Sequence, residues 1–542
     1  MTSSTHGPSG SDAAELEKRT EHVELPDSAN EASDEPFAWN FDVIFSLVAL
    51  NAVYFAASWG LVVPTSAIGF IARAFPESAR DSAWIAAAVS LPNCVLQAFI
   101  GDLSDILDRR WFLLVGALFG ICGNLISGRG TSLGMVIGGQ VLNGVGLTLD
   151  FLAIPLSAEL VPKKNRPVIS SISIIVSGVA TVIGPLIEGE FIKHEIGGTG
   201  NGWRSTFYFG AGFYALAFGL VFWFYLPQDR PNPEGLSKLR RVLGIDWFGV
   251  LLVTAGLTML LVALHYGGNP DPWDSAKVLA PLILGIVCIF TFAVWEWKGT
   301  SDGLLRHDLF EHRNYATTLL AIFTAGMVFF GGQSYIPQEV LYLFTSDPVM
   351  TSVWSYPYNI ATIVGAAASG LMVCSFAALT LGSGLMAIVH PGINFAGWFF
   401  PTAIMGIVVV GLCTPDRFIG LSVSMAGAFR GLGGSIGITI FNSIFSSKID
   451  NYLPEKISNI LPKVLEAVAT GSAEAILRIP GITMEIAAEI QDAVQTAYAD
   501  SFRYIWYTLI PFAAVSVIIS LFLKSTKEQM TGVVAAAVRG RH

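Results

Sequence analysis

Two ionisable residues lie inside apolar stretches of the sequence, where a charge is costly. Asp150 ends the run Gln140-Val-Leu-Asn-Gly-Val-Gly-Leu-Thr-Leu-Asp150, and Arg430 lies among small residues in Phe429-Arg430-Gly-Leu-Gly-Gly-Ser435. An ionisable group within a membrane span usually faces a cavity or pairs with another group. Asp150 is therefore a candidate for proton or substrate handling, against the alternative of a structural acid with a partner. Arg430 needs a counter-charge or carbonyl groups, and Asp150 is a candidate partner for it.

A third acid, Glu188, follows the pair Gly184-Pro185 in another apolar stretch. This pair should bend its helix, because proline removes a backbone hydrogen bond and glycine lets a neighbouring helix approach the bend. Glu188 is a further candidate for proton or substrate handling, and a merely interfacial position at the outer end of the span is the alternative. Small residues allow close helix packing. We assign that role to Gly144, Gly146, Gly433 and Gly434.

A cluster of charges follows the second apolar stretch, in Gly101-Asp-Leu-Ser-Asp105-Ile-Leu-Asp-Arg109-Arg110. A glycine lets the chain turn sharply at the membrane surface. Asp105 can cap the next helix and pair with Arg109 or Arg110, so that the cluster forms and breaks between two conformational states. The alternative is an ordinary charged loop. We interpret Gly101, Asp105, Arg109 and Arg110 as a gating loop.

The sequence lacks the usual signatures of enzymatic and metal sites. Its five cysteines lie in apolar stretches, and none forms a CxxC or a Cys/His metal spacing. No G-x-x-x-x-G-K-[ST] nucleotide motif occurs. We therefore expect no enzyme activity, no metal, no cofactor and no process driven by ATP.

The composition requires a surface that mostly faces lipid. Of 542 residues, 53% are hydrophobic and 13% are charged, whereas a soluble domain contains about 25% charged residues. A helix needs about 20 mostly apolar residues to cross a bilayer. Fourteen candidate spans lie near 43–65, 83–101, 111–128, 132–156, 168–188, 204–226, 246–266, 276–296, 315–332, 353–372, 373–390, 395–413, 418–445 and 503–523.

The positions of lysine and arginine predict the orientation of these spans. With the N-terminus inside, seventeen basic residues lie in the short cytoplasmic loops and the C-terminal tail, and six lie in short outside loops. This is the positive-inside pattern, so both termini should be cytoplasmic. One long outside loop covers 446–502, where Ile482, Ile486, Ile490 and Val494 recur every four residues. That repeat predicts an amphipathic helix on the outer surface, with a partner-binding domain as the alternative.

The predicted fold class is an all-α polytopic membrane protein with about 14 transmembrane helices. Residues 1–40 should form a disordered acidic cytoplasmic tail, because the segment has little apolar content. The remaining regions contain six spans (41–227), two spans with a linker (228–298), six spans with the long loop (299–523), and a cytoplasmic tail (524–542).

The charged loop resembles that of the major facilitator superfamily, which reads G-x-L-x-D-x-x-G-R-[RK] between the second and third spans. The matching residues are Gly101, Leu103, Asp105, Arg109 and Arg110. Asp108 replaces the usual glycine, and Gln140 stands where many proton-linked drug antiporters have an arginine. Gly184-Pro185 resembles part of the antiporter motif G-x-x-x-G-P-x-x-G-G, and Trp203-Arg204 resembles the W-R-x-x-F-Y signature of fourteen-span facilitators.

From about residue 40 to residue 530 the chain is similar to the fungal trichothecene efflux pumps and to the related siderophore–iron transporters. The segments that support this are Ala158-Glu159-Leu-Val-Pro162, Tyr266-Gly-Gly268, Pro272-Trp273, Tyr335-Ile-Pro337-Gln338, Trp354, Tyr356-Pro357 and the Arg430 segment. The resemblance breaks near 372–376, where the family has a charged cytoplasmic loop, and near 411–416, where the family has a longer stretch before the thirteenth span.

The resemblance implies a major facilitator fold, in which two six-helix bundles rock against each other with two further helices inserted between them. The implied function is proton-coupled efflux of an amphipathic small molecule such as a mycotoxin or a drug. Siderophore–iron uptake is the alternative, and a non-transporting membrane sensor or degenerate paralogue is the alternative of another class. We expect a monomer that contacts its small-molecule substrate and the lipid bilayer and no nucleic acid. Its expected location is the plasma membrane, with vacuolar or vesicle membranes as alternatives.

Overall fold

The described part of the chain is almost entirely helical. The computed structural model describes residues 39–162, 165–227, 237–267, 271–300, 313–367, 372–407, 419–457 and 484–522. These residues form seventeen α-helices, and an isolated β-bridge joins Gly267 and Asp271. The residues from Phe41 onward belong to one compact unit. The predicted all-α class is confirmed, whereas the acidic tail and the C-terminal tail lie outside the described residues.

The first half of the chain contains eight helices, and most of them pack around α1 and α4. The helices are α1 (Phe41–Ser66), α2 (Ile68–Ala74), α3 (Trp84–Ile106), α4 (Arg109–Gly128), α5 (Leu133–Asp150), α6 (Ala153–Glu159), α7 (Arg166–Lys193) and α8 (Gly202–Phe224), with a 3-10 helix at Pro76–Ala83. Helix α1 packs on α7 and α8, and α4 packs on α5 and α8. Helix α3 completes this bundle through its contact with α5.

Three helices separate the two halves. They are α9 (Lys238–Leu243), α10 (Trp247–Tyr266) and α11 (Ala276–Lys298). Helices α10 and α11 pack on each other, and α10 also touches α3. Large apolar side chains on α11 remain exposed, among them Phe290 at 70% and Trp297 at 76%. Because apolar surface of this size is stable only against lipid, the pair lies at the periphery of the protein.

The second half contains six long or medium helices. They are α12 (Arg313–Leu343), α13 (Pro348–Ala367), α14 (Met372–Met386), α15 (Phe395–Gly406), α16 (Ile419–Ile457) and α17 (Met484–Ser520). Helix α12 packs on α16 and α17, α13 packs on α15, and α14 packs on α15 and α17. The two halves meet mainly through two helix pairs, α3 with α16 and α7 with α13.

Each of the fourteen predicted spans corresponds to a helix, with α5 and α6 together forming the fourth. Nine of the described helical segments are long and apolar enough to cross a membrane. Helices α14 and α15 are shorter, at 15 and 12 residues. The first predicted break, 372–376, forms the start of α14, and the second, 411–416, lies outside the described residues.

The described parts of the predicted outside loop at 446–502 are helical and belong to α16 and α17. The prediction of a separate amphipathic helix on the outer surface is therefore corrected. Helix α16 contains 39 residues and α17 contains 37, so each extends over about 55 Å, well beyond a hydrocarbon core of about 30 Å. Ile490 is fully buried, and the ring of Tyr498 stacks on that of Tyr342 with centroids 4.3 Å apart. The apolar repeat is therefore part of α17 and packs on the second half. It can do so because α12 also extends this far and presents apolar side chains such as that of Tyr342.

Candidate functional site

The two halves are joined at the end of α7 that the predicted orientation places outside. The hydroxyl of Ser352 on α13 donates a hydrogen bond of 2.7 Å to the carbonyl of Pro185 on α7. Lys193 Nζ and Asp347 Oδ2 form an ion pair of 3.0 Å just beyond these helices. Between the two contacts, Gly189 lies directly against the backbone of Pro348 and Val349, and a larger residue would not fit there. We call these contacts the α7–α13 closure.

The ion pair in this closure sets the charge state of Asp347. The ammonium group of Lys193 donates a hydrogen bond that lowers the pKa of the Asp347 carboxyl, and the backbone N–H of Val349 lowers the pKa further. A lowered pKa means that the stabilisation is complete above the ordinary pKa of aspartate and is lost as the pH falls through the lowered pKa. At neutral pH the Asp347 carboxyl is therefore ionised. Because both side chains are partly exposed, at 46% and 33%, we assign it less than about 1 kcal/mol.

An apolar cluster continues the contact between the halves. Phe330 of α12 and Ile438 of α16 pack into a group of buried first-half residues that includes Leu61 and Ile68. Phe330 and Ile438 are 5% and 2% exposed. Together with the α7–α13 closure, this cluster closes the predicted outer end of the interface.

Glu188 is buried within this closed end, near the predicted outer end of its span. Its side chain is 4% exposed, and Ser66 of α1 donates a hydrogen bond of 2.5 Å to Oε2. It lines a small cleft between the halves together with Gln333 and Asn359, whose side-chain amides share a hydrogen bond of 2.9 Å. Glu188 is thus a buried carboxylate at a polar patch where both halves meet.

Asp150 lies deep in the first bundle. It is 0% exposed, and neither carboxylate oxygen has a hydrogen-bond partner among the described residues. The carboxylate lies against Gly116 of α4, and the ring of Tyr214 lies against Gly120 one turn further along the same helix. Because residues four apart lie on one face of a helix, Asp150 and Tyr214 are neighbours on that face of α4. The hydroxyl of Tyr214 is likewise buried without a partner.

A network of side-chain amides adjoins these two groups. Asn143 donates to the carbonyl of Gly60 at 2.7 Å and accepts from Asn124 at 3.2 Å. Gln140 donates to the hydroxyl of Ser127 at 2.8 Å. The Tyr214 hydroxyl and the Asn143 amide both lie next to Gly60. We call the whole set the first-bundle polar cluster: Asp150, Tyr214, Asn143, Gln140, Asn124 and Ser127.

The predicted pairing of Asp150 with Arg430 is wrong. Asp150 faces α4 and α8 inside the first bundle, whereas Arg430 belongs to α16 and lies against α12. The guanidinium of Arg430 is exposed and lies over the ring of Phe329, 4.5 Å from its centroid. The two charges are kept apart because each faces neighbours within its own half.

The predicted gating loop is partly helical, which corrects two of its assignments. Helix α3 continues through Gly101 and Asp105 to Ile106, so the glycine does not form the turn. The next helix is capped by Asp108, which accepts a hydrogen bond from the Arg110 N–H at 3.2 Å, and not by Asp105. Aspartate is a favoured N-cap residue, which gives the replacement of the family's glycine a structural role. The side chain of Asp105 lies outside the described residues.

The two arginines of this loop connect α4 to its neighbours. Arg109 forms an ion pair with Glu159 at the end of α6, and these side chains are only 10% and 7% exposed. Arg110 donates a hydrogen bond of 2.6 Å to the carbonyl of Phe222 on α8, and its guanidinium lies 5.5 Å from the centre of that ring. Sequence reasoning did not assign Glu159 as a partner, although Ala158-Glu159 belongs to the segments that support the resemblance.

The residues assigned to helix packing lie where helices approach each other closely. Pro185 is inside α7, which continues past it to Lys193. The glycines contact the following neighbours: Gly144 the backbone at Val89, Gly146 the backbone at Gly116, Gly184 the side chain of Val63, Gly433 the carbonyl of Phe323 and Gly434 the ring of Phe330.

Comparison with known protein families decides what this helical arrangement is. Residues 48–454, three quarters of the chain, match the Major Facilitator Superfamily. The chain belongs to the Major Facilitator Superfamily. It is therefore an integral, multi-pass membrane transporter of small molecules and not an enzyme. Residues 393–542 also match the fungal trichothecene efflux pump family.

Several fungal transporters are similar to this facilitator over most of its length. MFS transporter L2 of Phoma sp. is 25% identical over 92% of this chain and 85% of its own. Efflux pump dotC of Dothistroma septosporum is 26% identical over 90% of this chain and 84% of its own. The MFS-type efflux transporter pyiT of Pyricularia grisea is 25% identical over 92% and 87%.

Solved structures share the fold of this facilitator. The crystal structure of tetrameric PepTSo2 superposes with a TM-score of 0.55 at 11% identity, over 88% of this chain and 98% of that one. A proton-dependent oligopeptide transporter gives a TM-score of 0.52 at 12% identity, over 88% and 98%. The predicted major facilitator fold is confirmed.

One buried acid of the facilitator was missed from the sequence. Glu339 on α12 is 2% exposed, and the indole N–H of Trp506 on α17 donates to its Oε2 at 3.0 Å. The predicted ninth span ended at residue 332, whereas the helix continues to Leu343. Glu339 directly follows Tyr335-Ile-Pro337-Gln338, so a longer span would have included it.

Proposed function

We propose that this facilitator exports an amphipathic small molecule in exchange for protons. Two relatives with 25–26% identity over about nine tenths of the chain bear the names efflux pump and efflux transporter. The match of residues 393–542 to the trichothecene efflux pumps supports the same direction of transport. Export from the cell requires the plasma membrane, which is the location that we propose.

The observation that supports proton coupling best is the environment of Asp150. A carboxylate that is fully buried without a hydrogen-bond partner is unfavourable when charged, because desolvation penalises the ionised form. Such a group is suited to bind a proton in one conformational state and to release it when another state admits water. Tyr214 and Asn143 extend polar groups from Asp150 toward α1 at Gly60. Within the first-bundle polar cluster, the Tyr214 hydroxyl would pass the proton to or from Asp150, because a phenol can give and accept a proton and the side-chain amides cannot.

Substrate release requires the predicted outer end to open. The α7–α13 closure consists of one exposed ion pair, one hydrogen bond and close backbone packing. Contacts of this kind are individually weak, so they can break and re-form as the halves rock. Protonation of Asp150 and opening of this end would be the two coupled events.

Proteoliposomes with an acidic lumen test the proposal. The test substrates are three dyes that share the pyrene ring system and differ in charge: pyrenesulfonate, pyrenemethanol and pyrenyl-trimethylammonium. We expect protons leaving the lumen to drive at least one dye inward, and we expect a protonophore to abolish its accumulation. Two results would contradict the proposal: no gradient-dependent movement of any dye beyond protein-free vesicles, or movement in the same direction as the protons.

A further inference from the structure

The exposed guanidinium of Arg430 stands out among the ionisable groups of the spans. Arg430 is the twelfth residue of α16, well inside the helix, and yet its side chain is exposed, while Asp150, Glu188 and Glu339 are all buried. An arginine exposed to hydrocarbon is very costly. Its exposure therefore indicates a space accessible to water or to a polar ligand.

This space lies on the side of the second half that faces the first half. The backbone carbonyl of Arg430 packs against Gly326 of α12, so the close approach of the two helices fixes where the side chain begins. The guanidinium lies over Phe329, and Phe329 itself packs against the apolar cluster that joins the halves. Arg430 thus lies beside the surface along which the halves rock.

Its positive charge is not neutralised by the described residues. No carboxylate among them forms an ion pair with Arg430. Glu188 accepts from Ser66, Glu339 accepts from Trp506, and Asp150 lies within the first bundle. A cation held at this depth without a partner in the protein is positioned to attract an anion from outside it.

We propose that Arg430 and Phe329 form a substrate subsite for an anionic group attached to an aromatic or conjugated ring. This assignment rests on the proposed function, because it names the class of molecule that the exporter would bind. A guanidinium stacked on a ring keeps its in-plane N–H groups available, and these fit the oxygens of a carboxylate or sulfonate in a two-point contact. The aromatic part of the ligand would lie against Phe329 and its apolar neighbours.

Binding to the detergent-purified full chain tests the subsite independently of transport. Energy transfer from the protein's tryptophans reports binding of the three pyrene dyes. We expect wild type to bind pyrenesulfonate about tenfold or more tightly than pyrenemethanol, because a charged hydrogen bond is lost in the alcohol. Arg430→Gln should reduce that ratio to about twofold or less, and Arg430→Lys should retain part of it.

Two further variants separate the subsite from general effects. Lys277→Gln removes one positive charge from the exposed first turn of α11 and should leave the ratio unchanged. Phe329→Leu should weaken the binding of both pyrenesulfonate and pyrenemethanol and preserve the preference for the anion. The subsite is overturned if wild type binds the anion no better than the alcohol, or binds neither, or if Arg430→Gln keeps the preference. An anion preference without proton-driven transport would contradict the proposed function and leave the subsite standing.

Discussion

The side chain of Asp108 shows how one residue can depart from a family pattern and still be explained. The sequence marks it as a substitution for glycine, and the structure places it as the N-cap of α4. The partner of Arg109 could not be found in this way. Glu159 lies fifty residues further along the chain, and only the packing of α6 on the first bundle brings it to the loop. Residue types predicted a charge cluster here, but tertiary contacts decide which charges pair.

The ion pair of Arg109 and Glu159 should contribute to stability because it is nearly buried. Glu159→Gln removes the charge of the carboxylate that pairs with the nearly buried Arg109, and we expect a loss of about 3 kcal/mol. Arg109→Gln should have a similar effect, and the double variant should lose much less than the sum of the two. Thermal unfolding of the purified variants measures this, with Lys277→Gln in an exposed pair as the control. Additive losses in the double variant would show that the two residues do not interact.

At the scale of helices, composition and periodicity predict each span because a bilayer crossing requires a long apolar run. They do not predict where α16 and α17 end. Outside the membrane these helices need only one apolar face. The sequence pattern of the apolar face that contains Ile490 is the same whether this face packs on lipid headgroups or on the protein. The stacking of the Tyr498 ring on the Tyr342 ring decides between these options, and that contact joins residues 156 positions apart.

Neighbouring residues of α17 give a direct test of this extension and of the orientation. In a background without the five native cysteines, Gln491→Cys should react with an impermeant thiol reagent in intact cells, because Gln491 is exposed on the predicted outer side. Ile490→Cys should be protected, since Ile490 is fully buried. Labelling of Gln491→Cys only after permeabilisation would reverse the orientation. Equal labelling of the two positions would contradict the packing of the extension.

The α7–α13 closure should open in every transport cycle. In the same background, Lys193→Cys and Asp347→Cys place two thiols at the closure. A short, cleavable bifunctional thiol reagent added from outside should cross-link them and abolish transport, and cleavage of the cross-link should restore transport. Lys277→Cys with Asp271→Cys is the matched control, because this pair, at 3.2 Å, joins the start of α11 to the segment between the two inserted helices. Cross-linking there should leave transport unchanged. Full transport with the Lys193 and Asp347 positions cross-linked would show that substrate does not leave by this end.

At the scale of the whole molecule, the sequence predicts two bundles and an inserted pair through its resemblance to the major facilitator superfamily. It could not predict which helices join the halves. The pairs α3 with α16 and α7 with α13 connect helices that are far apart in the chain. It also paired Asp150 with Arg430 on charge alone, whereas the packing assigns these groups to different halves.

The central claim is that Asp150 couples a proton gradient to export. Asparagine has nearly the volume of aspartic acid and resembles its neutral form, so Asp150→Asn should keep the fold and the substrate site. In proteoliposomes, this variant should exchange dye across the membrane at about the wild-type rate when no gradient is present. It should also lose accumulation against a concentration difference when the lumen is acidic. Full gradient-driven accumulation in Asp150→Asn, or equal loss of exchange and accumulation, would contradict the claim.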